Sequence, residues 1–293
     1  MSEVKPNDLA VIMVSYHTGP ALFESVQAVL GEPLVSELIV VNHGNPRADA
    51  YRLADLDKTD PRVTLINTGA NLGFSKGCNI GAAHAEASRL FFLNPDTILQ
   101  PGAAAALIEA LERAVEPAVA GARITHLDGR EQRGARRGEL TIISALIGFL
   151  GVSRVLPGLR DIHREGEALP NAAEPVPAVS GAALMVSRAG FDALKGFDEA
   201  YFLHVEDLDL CRRARDAGGQ VVFEPRAEVR HHRATSAVNT FKVEHWKAAG
   251  LVRYFHTHGG RFGPVKAALA APLIYAALML RAGLAKLGQR PKG

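Results

Sequence analysis

The chain has 293 residues, with 33 Lys+Arg against 31 Asp+Glu, and 47% of its residues are hydrophobic. That balance excludes disordered, collagenous and mucin-like classes, and the length supplies ample core for one large or two small domains. The net charge of +2 hides a split: residues 226–293 hold 12 Lys/Arg and 2 Asp/Glu, a net of +10, and the preceding residues carry −8. A basic tail on an acidic body points to an anionic partner: a membrane surface, phosphate or nucleic acid. Cys78 and Cys211 lie 133 positions apart and fit no metal spacing, as expected of reduced thiols in the cytosol. The first apolar run, residues 9–14, has a strand's length and lacks the long apolar stretch of a secretory signal.

In chain order, residues 9–14, 38–41, 63–66 and 90–93 are short apolar runs without polar alternation, the pattern of strands buried on both faces. Helical spacing at residues 21–30, and an Ala-rich stretch at 82–87, fall between them. Strand, helix, strand at this interval predicts a parallel sheet with right-handed crossovers. Each run ends in a polar residue: Ser15, Asn42, Asn67, then Asn94 and Asp96. Open α/β sheets bind ligands outside the carboxyl ends of their strands. From residue 121 to 177 the pattern loosens around four arginines at 130–137 and an apolar stretch at 140–150. Regular structure is expected again at 178–186, in a helix near 206–217 and in a strand at 220–223.

Four stretches have chemical character. Asn71-Leu-Gly-Phe-Ser-Lys76-Gly-Cys-Asn79-Ile-Gly81 is no dinucleotide fingerprint, and on spacing alone a loop entering a tightly packed helix is the better account of its glycines. Asn94-Pro-Asp96 places an acid just past a buried strand, where it suits Mg²⁺ or Mn²⁺ on a diphosphate, or a local Asx turn. Glu206-Asp207-Leu-Asp209 opens a helix, and helix-dipole complementarity accounts for acids there. Yet Asp207, Leu210, Cys211 and Ala214 share one helical face, so Asp207 begins the apolar stripe and is a candidate general base. Finally, His231 and His232 sit between Arg230 and Arg233, a candidate metal or phosphate contact or a basic surface loop.

In order and spacing, these stretches resemble family 2 glycosyltransferases, and most closely their bacterial rhamnosyltransferase-like branch. The resemblance spans roughly residues 9–236. It rests on Val14-Ser-Tyr16, Asn71-Leu-Gly-Phe through Gly81, Leu93-Asn-Pro-Asp96, Ser180-Gly-Ala, Gly196-Phe-Asp-Glu, Glu206-Asp-Leu-Asp-Leu-Cys-Arg, and His231 five residues before Ser236. It implies a GT-A fold, with a mostly parallel central sheet flanked by helices and a helical basic C-terminal extension. It also implies a nucleotide-diphosphate sugar donor and inversion at the anomeric carbon. Asp96 and His231 would face a divalent metal, Mg²⁺ or Mn²⁺. Asp207, beside Glu206, would be the base. Ser15, Tyr16, Asn42 and Asn71, with Gly73, Lys76, Asn79 and Asn94, would hold the donor. Three departures stand out. His17 follows Ser-Tyr where the family usually has Asn, Asn42 stands for an Asp, and Asn94 stands for the first Asp of the metal motif. They keep open a rival, a catalytically impaired nucleotide-sugar-binding scaffold of the same fold.

The division expected is a catalytic domain at 1–235 and a membrane-association segment at 236–293. Within the latter, residues 267–280 carry no charge and are flanked by Lys266 and Arg281, with Lys286, Arg290 and Lys292 beyond. Such a run suits an in-plane or partly inserted anchor on anionic lipid, with a buried core helix as the alternative. Pro272 argues against one straight helix. Residues 140–150 are a second membrane contact or a core helix. The expected enzyme transfers a sugar, rhamnose from dTDP-rhamnose as first choice, to a lipid-linked or polysaccharide acceptor. It would work peripherally at the cytoplasmic face of a bacterial inner membrane, or in the cytoplasm. Nucleic acid is not expected, because the basic tail lacks interleaved aromatics.

Overall fold

The computed structural model describes residues 8–150, 161–232 and 238–288. The chain opens with three strand–helix units: β1 (Leu9–Ser15), α1 (Ala21–Leu30), β2 (Val35–Asn42), α2 (Arg47–Thr59), β3 (Val63–Asn67) and α3 (Phe74–His84). There follow β4 (Arg89–Leu93), β5 (Thr97–Leu99), α4 (Ala103–Arg113), β6 (Val119–Thr125), β7 (Arg136–Arg137) and α5 (Ile142–Leu150). Next come β8 (Glu174–Pro175), β9 (Ala178–Val179), β10 (Ala183–Ser187), α6 (Arg188–Ala193), α7 (Glu206–Asp216) and β11 (Val221–His231). The last described elements are α8 (Thr240–His258) and α9 (Gly263–Gly288).

The main sheet runs β3-β2-β1-β4-β10-β6-β11-β5, with β8 on β11. It is parallel from β3 through β4 and again between β6 and β11, and it reverses at β10, β5 and β8. Strand β1 shows why these runs read as unbroken hydrophobicity. Leu9, Val11 and Met13 pack with α1, α2 and α4 on one face, whereas Ala10, Ile12 and Val14 pack with α3, α7, α8 and α9 on the other. Both faces of the sheet are therefore buried. The glycines of α3 are packing residues: a Cβ on Gly81 would stand 2.5 Å from Ile12 Cγ2.

Three expectations change. The strand expected at 220–223 continues to His231, because a register shift between Glu224 and Glu228 absorbs Pro225 and lets β11 pair β6 again. Its far end pairs antiparallel with β5, a three-residue strand too short to read from periodicity. The C-terminal apolar run is one continuous helix through Pro272, a break offset by packing along α8. That helix has one face in the core and one face exposed. Ala267, Ala270, Ile274, Leu278 and Ala282 are buried, while Leu269, Leu273, Leu280 and Leu284 are exposed. In α5, Ala145 is buried and Ile143 is 71% exposed. Arg233, Ser236, Arg290 and Lys292 lie outside the described residues.

Candidate active site

At the carboxyl edge of the parallel half, sheet register sets Ser15 beside Asn42 and Asn42 beside Asn67. Their side chains form one network with Asn45. Asn45 Nδ2 donates to Ser15 Oγ at 2.8 Å and to Asn42 Oδ1 at 3.0 Å, and Asn42 Nδ2 donates to Asn67 Oδ1 at 2.8 Å. Asn42 Oδ1 also accepts the backbone N–H groups of Gly44 and Asn45. Asn42 thus shapes the loop after β2. Tyr16 lies half-buried, edge-on to His17.

Asn71 Oδ1 accepts the Gly73 N–H at 3.0 Å. Gly73 has φ +88°, and a Cβ there would lie 2.6 Å from the Phe202 carbonyl oxygen. That carbonyl accepts the Phe74 N–H, which fastens the loop before α7 to the start of α3. Asn79 fastens the same loop from below: its Oδ1 accepts the Phe197 N–H, and its Nδ2 donates to Phe197 O and Glu199 Oε1. Lys76 is exposed on α3.

The β5–β11 pairing joins Asp96 to His231 across 135 positions, with His231 Nε2 at 3.0 Å from Asp96 Oδ1. Gln132 sets the imidazole. Its Nε2 donates to the His231 carbonyl at 2.7 Å, so its Oε1, 3.1 Å from His231 Nδ1, is the accepting atom. In a neutral ring Nδ1 then carries the proton, and Nε2 turns a lone pair toward a carboxylate. Two lone-pair atoms at that distance need a proton or a cation between them, so the pair fits a divalent ion. Among the described residues no cluster of three or more His, Cys, Asp or Glu could hold a metal. An ion on Asp96 and His231 would complete its shell with water and phosphate oxygens. Asn94 donates its backbone N–H to the Ala182 carbonyl at 2.8 Å.

Helix α7 starts from a strained corner. His204 and Val205 have φ of +69° and +75°, and a left-handed β-branched residue is an outlier that its surroundings must enforce. Gly250 of α8 supplies the room: a Cβ there would stand 3.1 Å from His204 O and 3.2 Å from Val205 Cγ2. The corner turns Glu206 and Asp207 inward. Asp207 Oδ2 accepts from Arg137 Nη1 at 2.8 Å and from the Gly181 N–H at 2.9 Å, and its Oδ1 accepts the Leu208 N–H. Gly181 touches the Asp207 side chain, so the Ser180-Gly-Ala stretch seats this carboxylate. Glu206 is the opposite case. Its Oε2 makes no hydrogen bond among the described residues, and burial, then the Asp207 charge, holds its carboxyl well above the usual range. Burial likewise raises the thiols of Cys78 and Cys211 and keeps them unreactive.

Asn94, His231, Glu206 and Asp207 line one cavity of about 470 Å³. Its remaining wall includes Arg133, Arg137, His204 and Leu140, together with Lys247, Leu251 and Arg281 from α8 and α9. Residues 10–172 match the glycosyl transferase family 2 model. An N-acetylglucosaminyl-diphospho-decaprenol L-rhamnosyltransferase of Mycobacterium tuberculosis is 33% identical over 78% of this chain and 77% of its own. The chain belongs to glycosyl transferase family 2.

This glycosyltransferase, a hexosyltransferase-type enzyme, shares its GT-A fold with solved relatives at low identity. GalNAc-T7 with UDP, GalNAc and Mn²⁺ superposes with a TM-score of 0.65 at 14% identity, over 86% of this chain and 48% of that one. A mannosyltransferase of Pyrobaculum calidifontis with GDP-Man and Mn²⁺ gives 0.58 at 15% identity, over 98% and 79%. In the family 2 chain, the residues that sequence reading missed are Gln132, Arg137, Gly181, Lys247 and Arg281. The arginine cluster at 130–137 was the available signal for Arg137, and Gly181 stood inside a quoted motif without a role. Lys247 and Arg281 looked like two more charges of a lipid-facing tail.

Proposed function

We propose that this enzyme transfers a sugar, L-rhamnose from dTDP-rhamnose by preference, from a nucleotide-diphosphate donor to a lipid-linked diphosphate-sugar acceptor in bacterial cell-surface glycan synthesis. The observation that carries this reading is the shared cavity, in which Asp207 stands beside the His231–Asp96 end. Asp207 takes the proton of the acceptor hydroxyl as that oxygen bonds to the anomeric carbon. The bond from that carbon to the donor diphosphate breaks on the opposite face, which inverts the configuration. Arg137 and the Gly181 N–H orient the carboxylate through Oδ2, and Oδ1, which accepts the Leu208 N–H, keeps a second lone pair for the proton. Asp96 and His231 would hold a divalent cation, Mg²⁺ or Mn²⁺, which when bound would offset the charge of the leaving diphosphate. Ser15, Tyr16, Asn71 and the Asn42–Asn45 loop lie where the nucleoside would be held.

The acceptor half of the proposal draws on the M. tuberculosis relative's name and on α9. Phe262, Val265, Leu269, Leu273, Leu280 and Leu284 are all more than half exposed. Their spacing puts them on one helical face, opposite the buried alanines. The stretch 260–284 is long and apolar enough to cross a membrane by length and composition. With its other face in the core, the helix suits an in-plane seat at the cytoplasmic face of an inner membrane.

Incubation with dTDP-rhamnose, Mn²⁺ and prenyl-diphosphate-linked N-acetylglucosamine is expected to yield a rhamnosylated lipid of inverted configuration. Turnover of a UDP- or GDP-sugar instead would reassign the donor. Donor binding without transfer from any of the three would favour the scaffold reading. Asp96→Ala is expected to weaken Mn²⁺-dependent donor binding by more than about tenfold, and metal-independent binding in the wild type would contradict the role given.

A further inference from the structure

The carboxyl edge of β1, β2 and β3 is lined by amides and hydroxyls, and their network fixes which atoms remain for a ligand. A backbone N–H can only donate. The Gly44 and Asn45 N–H groups, at 3.1 and 2.9 Å, therefore identify the accepting end of Asn42 as Oδ1. Asn45 Nδ2 adds a third donor to that oxygen at 3.0 Å. The other end of Asn42 is then its NH₂ group, and the Asn67 atom that meets it at 2.8 Å is the accepting Oδ1. Asn67 keeps its own NH₂ group out of the network, where it makes no hydrogen bond among the described residues. Ser15, Asn42 and Asn45 are buried, whereas Asn67 is exposed. The chain of amides thus reaches solvent at Asn67 as a hydrogen-bond donor. His43 stiffens the turn beyond it: its Nδ1 lies 2.8 Å from Thr68 Oγ1 and 3.1 Å from the Ala70 carbonyl oxygen.

Strand β3 lies two strands from β1, on the side away from β4, a distance of about 10 Å at the usual strand spacing. A donor with its diphosphate at the Asp96–His231 end would lay its nucleoside over β1 and β2 and bring the far edge of the base to β3. We propose that Asn67 reads the donor's nucleobase through the N–H groups of Nδ2, and that Asn42 sets that polarity. Such a donor suits the 4-keto oxygen of thymine or uracil and opposes the amino group that cytosine carries at the same place. An aspartate at position 42 has no hydrogen to give. The Asn67 amide would turn over to donate to it, Oδ1 would face the ligand, and preference would pass from keto to amino bases. This inference deepens the nucleotide-sugar reading above and rests on it for the place of the nucleoside.

The test is calorimetric titration of the full chain with dUDP and with dCDP, each with Mn²⁺. The two ligands share their sugar and diphosphate and differ only at base position 4 and in the proton on N3. Their affinity ratio therefore cancels effects of phosphate, metal and fold. The wild type is expected to prefer dUDP by roughly three- to tenfold, the size of one hydrogen bond. Asn67→Ala, at an exposed position, is expected to bind the two equally, and Asn42→Asp to prefer dCDP. Asn67→Asp keeps an acceptor for Asn42 Nδ2 and turns a second acceptor outward, so it is also expected to lose the dUDP preference, without disturbing the buried amides. Equal affinity of the wild type for both nucleotides, or no binding of either, would overturn the assignment. So would a dUDP preference that persists in Asn67→Ala and Asn67→Asp, or in a folded Asn42→Asp. A keto preference in binding with no sugar transfer to any acceptor would sink the function proposed above and leave the base reading standing. Transfer from dTDP-rhamnose by an enzyme that binds dUDP and dCDP equally would do the reverse.

Discussion

Asp207 and Glu206 are adjacent in the chain and opposite in surroundings. One is held by three N–H donors, and the other is buried with an oxygen that makes no hydrogen bond among the described residues. Asp207→Asn keeps the shape and removes the proton acceptor, so kcat is expected to fall by about 10²–10⁴-fold with donor affinity retained. Unchanged turnover would remove Asp207 from the chemistry. For Glu206 the prediction concerns stability. Its carboxyl stays protonated in the fold above the pH at which it ionises in the unfolded chain, ordinarily near 4.5. Above that pH the folded state binds the extra proton, so stability falls as pH rises until Glu206 ionises in place. Glu206→Gln removes that slope. Calorimetry from about pH 5 to about pH 8 should show a Tm advantage of the variant that grows with pH. Gln132→Ala, which frees the His231 ring, is expected to cost about 10–100-fold in metal affinity.

At the scale of elements, strands were legible and their pairing was not. The four opening runs became β1 to β4 because both sheet faces are covered, a condition that leaves an unmistakable hydrophobic mark. Helix α2 left no such mark, since Leu53 is its one buried residue. Asp96 and His231 were each candidates, but what joins them is a three-residue strand and a bulge at Pro225, neither of which has a periodicity to read. Helix α7 was legible by its apolar stripe, yet its entry corner depends on Gly250, 43 positions after Asp207. Gly250→Val should push α8 off the corner, cost about 1–3 kcal/mol of stability and lower kcat beyond that loss. A variant equally unstable but fully active would uncouple the corner from the base.

For the whole molecule, the charge split was real, and its meaning has narrowed. Arg226 pairs with Glu224 and Glu109, and Arg253 with Asp198, so part of the basic tail neutralises the acidic body. Arg281 and Lys247 turn inward to the cavity. What remains for a membrane is chiefly the leucine face of α9, with Arg261 and Lys266 exposed near its start. Deleting α9 would therefore remove core and cavity along with any anchor. The cleaner test is Leu269→Glu with Leu273→Glu and Leu280→Glu, expected to move the protein from the membrane pellet to the supernatant at unchanged Tm. Ile274→Glu, on the buried face, should instead destabilise by more than about 3 kcal/mol. Identical partitioning of the triple variant and the wild type would end the membrane reading.

The cavity wall built by α8 and α9 also has a consequence in time. Every described strand, Asp96, His231 and Asp207 are synthesised before residue 240, and Lys247, Leu251 and Arg281 follow. A nascent chain that has completed β11 has its sheet and its carboxylates but not the far side of the chamber or the glycine that braces the base. Competence for transfer is thus acquired only as the leucine-bearing helix leaves the ribosome. The same event would complete the chamber and expose the leucine face of α9.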